Sequence, residues 1–200
     1  MVRPAAQSRP APARTIFVTT AGGAPWRLLD PCAMDVDWRV IAAHLAKLCR
    51  FGGAASSHYS VAQHSIVVAE QLPPHLRLYG LLHDAHEAVI GDITSPVAAA
   101  LAALAGRTAL LALKDLQDVA IHQAAGLPWP PPEDAARLIH EADMRALATE
   151  WRDLMPAGVP CPVPARALSA RIKPWAWSLA EERFRAALDT HLPAHLRRPA

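Results

Sequence analysis

From Asp35 onward the apolar residues recur every three or four positions, and glycine or proline cuts off each such stretch. A chain with that period buries stripes of helix against helix and offers no alternating runs from which to build an extended sheet. Asp35 or Asp37 can cap a first helix that runs to about Arg50, with Val40, Ile41, Leu45 and Leu48 on one face. Ser60 caps a second, SVAQHSIVVAEQL, which stops at Pro73-Pro74, and a third covers roughly residues 75–90 and ends at Gly91. Asp92 and Thr94 lead into an alanine-rich helix, and Thr108 to Ala125 forms a longer one closed by Gly126. The proline loop LPWPPPED opens into a helix from about Glu133 to Met155, and Ser178 starts the last, SLAEERFRAALDTHL.

Ahead of these, Ile16 to Thr20 and Trp26 to Leu29 read as two short strands around the turn AGGAP. The expected fold class is therefore all-α, a helical bundle with a short N-terminal β-hairpin. The domain spans residues 15–190, with a disordered tail over 1–14 and a flexible tail over 191–200.

At 52% hydrophobic residues the chain has material for a core without disulfide staples. Cys32, Cys49 and Cys161 form no CxxC pair, which argues against a thiolate zinc site and fits a reducing cytoplasm. A net charge of +2 with scattered arginines lacks the basic stripe of a duplex-binding protein. The run from Val97 to Leu113 is interrupted by Gly106 and Arg107 and falls short of a membrane span.

Chemistry concentrates in LLHDAHEAVIGD. On a regular helix His83 and Glu87 lie four apart and Asp84 and Glu87 three apart, so these side chains crowd one region. Flanked by Leu81, Leu82, Ala85, Ala88 and Val89, they are costly to bury without a partner, and a divalent cation would supply one. Asp92 follows just past the helix end, where its charge opposes the helix dipole. His64 interrupts an apolar helix face one element earlier, and Asp143 sits in a helix far downstream. Two histidines with two aspartates make a mixed nitrogen and oxygen set that suits Mn, Fe, Co, Ni or Zn better than Ca.

His64, the adjacent pair His83-Asp84 and the distant Asp143 resemble the H…HD…D pattern of the HD-domain phosphohydrolases. The likeness is to compact bacterial and phage members, among them 5′-deoxynucleotidases and deoxynucleoside triphosphate triphosphohydrolases. LLDP, CRFGG, HYSVAQHS, LLHDAHEAVIGD and HEADMRALATE carry it, over roughly residues 26–185. The resemblance implies an HD-type helical bundle with His64, His83, Asp84 and Asp143 as metal ligands. It also implies Glu87 as the residue that orients or deprotonates the attacking water, Asp92 as its assistant near the leaving group, and Arg50 as a substrate contact. A homo-oligomer is implied too, and Mg stands as a candidate second ion.

The expected reaction is attack of a metal-activated water on the α-phosphate of a deoxynucleotide, with dATP or another triphosphate first. A 5′-deoxynucleotidase acting on monophosphates is the alternative, and a phosphodiesterase or a non-catalytic nucleotide-binding protein are further ones. Arg50, at a helix end beside a glycine loop, suits a bidentate phosphate clamp. The loop that follows, FGGAASSH, adds only His58 as a group able to become positive, so His86, Lys114, Arg145 and Lys173 are the candidate additional cations. Trp26 and Leu28, on one face of a strand, are candidates to wall a nucleobase pocket.

Overall fold

Val18 and Trp26 face each other across an antiparallel hairpin made of β1 (Phe17–Thr19) and β2 (Pro25–Arg27). The Thr20 hydroxyl donates to the Ala24 carbonyl at 2.7 Å and closes the turn. The computed structural model describes residues 16–197; the tail expected over residues 1–14 lies outside the described residues.

Helices follow in the order read from the sequence: α1 (Trp38–Lys47), α2 (Val61–Glu70), α3 (Arg77–Leu82), α4 (Glu87–Ile90), α5 (Ser95–Ala105), α6 (Thr108–Ala124), α7 (Glu133–Leu154) and α8 (Trp177–His191). The caps act as their residue types dictate. Asp37 accepts from the Arg39 backbone N–H at 2.9 Å, and Ser60 accepts from that of Gln63 at 3.1 Å. Arg50 lies beyond the end of α1, in a loop pinned by hydrogen bonds from Arg50 N to Tyr59 O and from Val61 N to Leu48 O.

α2 is central. Val61, Ala62, Ile66 and Ala69 join a core built with α1, α3, α4, α6 and α8, while Val68 faces a second cluster shared with α3 and α7. A helix apolar on most sides must be surrounded, and the buried polar residues on α2 (Gln63, His64, Ser65) are thereby committed to the interior. By contrast, α5 buries none of its residues and exposes Val97, Leu101 and Leu104. Among the described residues no single helix is long and apolar enough to cross a membrane. All three cysteines are free.

Residues 191–197, expected within the flexible tail, are folded: α8 reaches His191, Ala194–Leu196 form a short 3₁₀ turn, and Leu192 is 2% exposed. Leu188, Leu192 and Leu196 continue one stripe at four-residue spacing, which carries the packed face past the end of α8.

The helix expected over residues 75–90 is continuous in neither register nor hydrogen bonding. It is divided into α3 and α4 by a tightened segment at His83–His86. Ala85 bonds back to Leu82, Glu87 to Asp84 and Ala88 to Ala85, all over three residues. The cause is visible at the start of the break, where His83 Nδ1 takes the Gly80 carbonyl at 2.8 Å. Gly80 itself marks a close crossing of α2 and α3: a Cβ there would lie 2.6 Å from Leu72 Cδ1 and 2.9 Å from Ala69 Cα.

Two effects oppose each other at that glycine. Alanine would improve helix propensity by about 1 kcal/mol, and overpacking against backbone costs about 1–3 kcal/mol. The clash with the Ala69 backbone is the less escapable, so Gly80→Ala is expected to lower the thermal unfolding midpoint; a raised midpoint would show that α2 and α3 can part without loss.

Candidate metal centre

α2, the tightened segment and α7 bring four donor groups together. His64 Nε2 lies 3.3 Å from His83 Nε2, 3.2 Å from Asp143 Oδ1 and 3.6 Å from Asp84 Oδ2. His83 Nε2 is 3.2 Å from Asp84 Oδ2. The other ring nitrogens are already engaged: His64 Nδ1 meets Glu150 Oε1 at 2.6 Å, and His83 Nδ1 donates to Gly80. Both Nδ1 atoms therefore carry a proton, and both Nε2 atoms point into the same small volume, where each offers a lone pair once its ring is neutral. Two lone pairs and two carboxylates facing one another suit a cation at their centre. His64, His83 and Asp143 can hold a metal ion, with Asp84 at hand.

The electrostatics agree with that geometry. Burial opposes a charged imidazole at His83, but the adjacent Asp84 carboxylate outweighs it and raises the ring to about 9. Asp84 is held well below the usual carboxylate range, because His83 beside it overcomes the effect of burial. Asp143 is lowered in the same way by its bond to His64.

Glu150 was not among the residues singled out from the sequence, yet it organises the site. It is fully buried, accepts at Oε1 from His64 Nδ1 and from Tyr59 Oη at 3.0 Å, and is ion-paired through Oε2 with the Arg50 guanidinium at 3.2 Å. Despite burial it stays ionised, since Arg50 and His64 lower its pKa. A carboxylate behind a ligating histidine fixes the ring's tautomer and increases its basicity. The signal was present: Glu150 follows Asp143 by seven residues, two helical turns along the same face of α7.

Asp84 also belongs to a neighbouring group, with His86 and Glu87, whose ligand atoms all lie within 4.8 Å of one another. Burial first, then the Asp84 and Asp92 carboxylates, push Glu87 up to about 9. Burial raises Asp92 as well. A cavity of about 480 Å³ opens here, lined in part by Arg50, Asp84, Glu87, Asp92, Lys114 and Asp143. Its apolar wall comes from Phe51, Met144, Leu147, Trp151, Pro162 and Val163.

The remaining expected contacts divide. Arg50 lines the cavity but is a buried partner of Glu150, with Asp84 3.6 Å away, and is not a free clamp. His86 is bonded to Asp118 at 3.0 Å and is not an available surface cation. Trp26 and Leu28 do not line this cavity. Trp26 is 3% exposed in the core and donates its indole N–H to Gln117 at 2.7 Å, and Leu28 presents its carbonyl to the same glutamine. The strand alternation that put the two side chains on one face turned that face toward the core, so neither reaches the cavity beside the metal-ligand group.

No family model matches the chain. It is 34% identical over 165 residues to the uncharacterized protein RCAP_rcc00048 of Rhodobacter capsulatus, covering 74% of this chain and 82% of that protein. It is 34% identical over 120 residues to the uncharacterized protein YfdR of Escherichia coli K12, covering 60% of this chain and 62% of that protein.

Two outcomes follow from the geometry. Glu150→Gln is expected to weaken Mn binding about 10–100-fold in calorimetry, whereas Tyr59→Phe, which removes one of the carboxylate's donors, changes it little. Unaltered affinity in Glu150→Gln would separate Glu150 from the centre. His83 must shed its proton to offer Nε2, and that proton leaves only near 9, so ion and proton compete at lower pH. Mn affinity should therefore rise about tenfold per pH unit from about pH 6 to about pH 8; a flat profile would contradict the assignment of His83 as a ligand.

Proposed function

The chain belongs to the family of the Rhodobacter capsulatus protein RCAP_rcc00048, and we propose that it is a metal-dependent phosphohydrolase of the HD type that cleaves a deoxynucleotide phosphate ester. One observation carries this reading. His64, His83, Asp84 and Asp143 converge at the edge of a cavity whose polar wall holds Arg50, Glu87, Asp92 and Lys114. Those four residues would hold a divalent ion, which would supply a water of lowered pKa and polarise a phosphoryl oxygen.

The chain's own residues account for the remaining requirements. Glu87, pushed up to about 9, is suited to hold or accept a proton at its buried Oε2, which has no other partner. Asp92 stands in the same wall, where a leaving-group oxygen would need a nearby carboxyl group. Thr94, Ser95 and Pro96 bring the start of α5 to the cavity, and the Thr94 side chain makes no capping bond there. That helix end, together with Lys114, is favourable for a phosphate group. The opposite wall of Phe51, Leu147 and Trp151 is apolar enough to take a nucleoside.

Of the two substrate readings, hydrolysis of a triphosphate such as dATP to deoxynucleoside and triphosphate comes from the sequence resemblance. A second reading, 5′-deoxynucleotidase activity, has the cavity wall in its favour. Arg50 is committed to Glu150 and Asp84, so Lys114 is the cation among the described lining residues with no such commitment. A monophosphate asks less of so few positive groups.

Purified protein supplied with Mn or Co is expected to release product from at least one deoxynucleoside mono- or triphosphate, and Asp84→Ala to lose that activity by several orders of magnitude. Phosphate as the product selects the nucleotidase, and triphosphate selects the triphosphohydrolase. Stoichiometric metal without turnover on any phosphate ester would replace the enzyme reading with a nucleotide-binding one.

A further inference from the structure

Resting on the nucleotide reading above, we propose that residues 160–164 form the wall that grips the nucleoside, and that Gln63 and Thr149 are positioning residues for that wall. Residues 155–176 join α7 to α8 without helix or strand. A connection longer than about 12–15 residues with no structure of its own is uncommon in a compact domain and tends to carry function. This one reaches the cavity, where Pro162 and Val163 stand in the apolar wall with Phe51, Leu147 and Trp151.

The chemistry of the segment suits a ring and not a phosphate. Its sequence is PCPVP, so Pro160, Pro162 and Pro164 have no backbone N–H to offer an anion. Lys114 and the start of α5, which can meet a phosphate, belong to other parts of the cavity wall. The prolines also restrict the backbone, so the wall loses little freedom when a ligand packs against it.

Side chains hold the segment in place from both of its ends. Before it, the Trp151 indole N–H donates to the Val159 carbonyl at 3.0 Å. After it, the Thr149 hydroxyl accepts from the Leu168 N–H at 2.8 Å while donating to the Arg145 carbonyl at 2.6 Å. Arg152 donates to the Leu168 and Ala170 carbonyls, and Asp153 accepts from the Ile172 N–H at 2.9 Å. Farther along, Gln63 donates to the Lys173 carbonyl and accepts from the Trp175 N–H, both at 2.9 Å. Thr149 is 0% and Gln63 3% exposed, so water does not replace either partner freely. Gln63 precedes His64 and Thr149 precedes Glu150, the two residues joined behind the metal-ligand group at 2.6 Å. The register that sets the ligands therefore also sets their distance from the wall, as a nucleoside whose phosphate must reach those ligands requires.

Full-length protein supplied with Mn tests the proposal with deoxyadenosine mono- and triphosphate as probes, and with inorganic phosphate and tripolyphosphate as competitors that lack a nucleoside. Thr149→Val keeps the shape of the side chain and removes its hydroxyl. It is expected to raise the nucleotide KM about tenfold. Unchanged kcat, Mn affinity and inhibition by the inorganic anions should accompany that rise, the pattern of lost uniform binding. Thr149→Ser should restore the wild-type KM, and Gln63→Leu should behave as Thr149→Val does. Val163→Ala, in the wall itself, should also weaken the nucleotide about tenfold, and it decides the matter if the tether variants fail to fold. An unchanged nucleotide KM in folded Thr149→Val and Val163→Ala would overturn the proposal, as would inorganic-anion affinity falling in step with that of the nucleotide. Wild type without turnover would overturn the enzyme reading alone, and the nucleotide Kd from calorimetry then replaces KM in the same comparison. Wild type that binds no nucleotide would overturn both.

Discussion

An ionised carboxylate with no solvent contact is tenable only where donors and opposite charge surround it, and Glu150 meets that condition through Tyr59, His64 and Arg50. Tyr59 and Arg50 come from the two ends of one loop, and His64 comes from the middle of α2. Removing one partner from such a buried pair costs about 3–5 kcal/mol, because the other charge is left without compensation. The packing of α7 against α2 is therefore not a generic apolar contact. It has one register in which Glu150 is satisfied, and in that register Asp143, two turns earlier on the same face, faces His64. The same condition explains the loop after Arg50, where Phe51 adopts a left-handed backbone (φ 59°) that a bulky residue rarely takes. Its ring lies against Trp151 at 5.8 Å, and the loop is held by the Arg50 and Tyr59 backbone bond.

Carboxyl groups crowd the centre. Asp84, Glu87, Asp92, Asp143 and Glu150 stand around Arg50, Lys114 and the rings of His64 and His83, and Arg50 is divided between Glu150 and Asp84. Glu87 shows the consequence, since burial and its acidic neighbours raise it to about 9. A group shifted that far in a cavity beside convergent ligand atoms is a functional-site signature on physical grounds. A bound cation would relieve that crowding directly, so the residues that look strained as a set of acids look orderly as a set of ligands.

The sequence made the fold legible wherever local chemistry decided it. The hairpin, the caps at Asp37 and Ser60 and the extents of α6 and α7 follow from period and punctuation, and the structure keeps them within a few residues. Where tertiary contacts decided, the reading fell short. Trp26 was on the expected strand face, but nothing local said that Gln117, 91 residues away, would claim its indole N–H. Glu150 lay inside a stretch already singled out, but its role depends on Arg50, Tyr59 and His64 meeting it in space. Leu192 and Leu196 carried an apolar spacing that was visible, and the nearby prolines obscured it.

The break in the helix at His83 shows how one local event can reorganise a motif. A regular helix would have set His83 beside Glu87, four residues on. Instead the His83 ring takes the Gly80 carbonyl, and the chain tightens toward three residues per turn, which aligns positions three apart. Glu87 then groups with Asp84 and not with His83, while His83 turns to His64 and Asp143. A glycine at position 80 is what allows α3 to approach α2 closely enough for that division. The five residues His83 to Glu87 thus supply two donor sets from one turn, with Asp84 at the seam. A straight helix built from the same side chains would present them as one crowded and mutually repelling face.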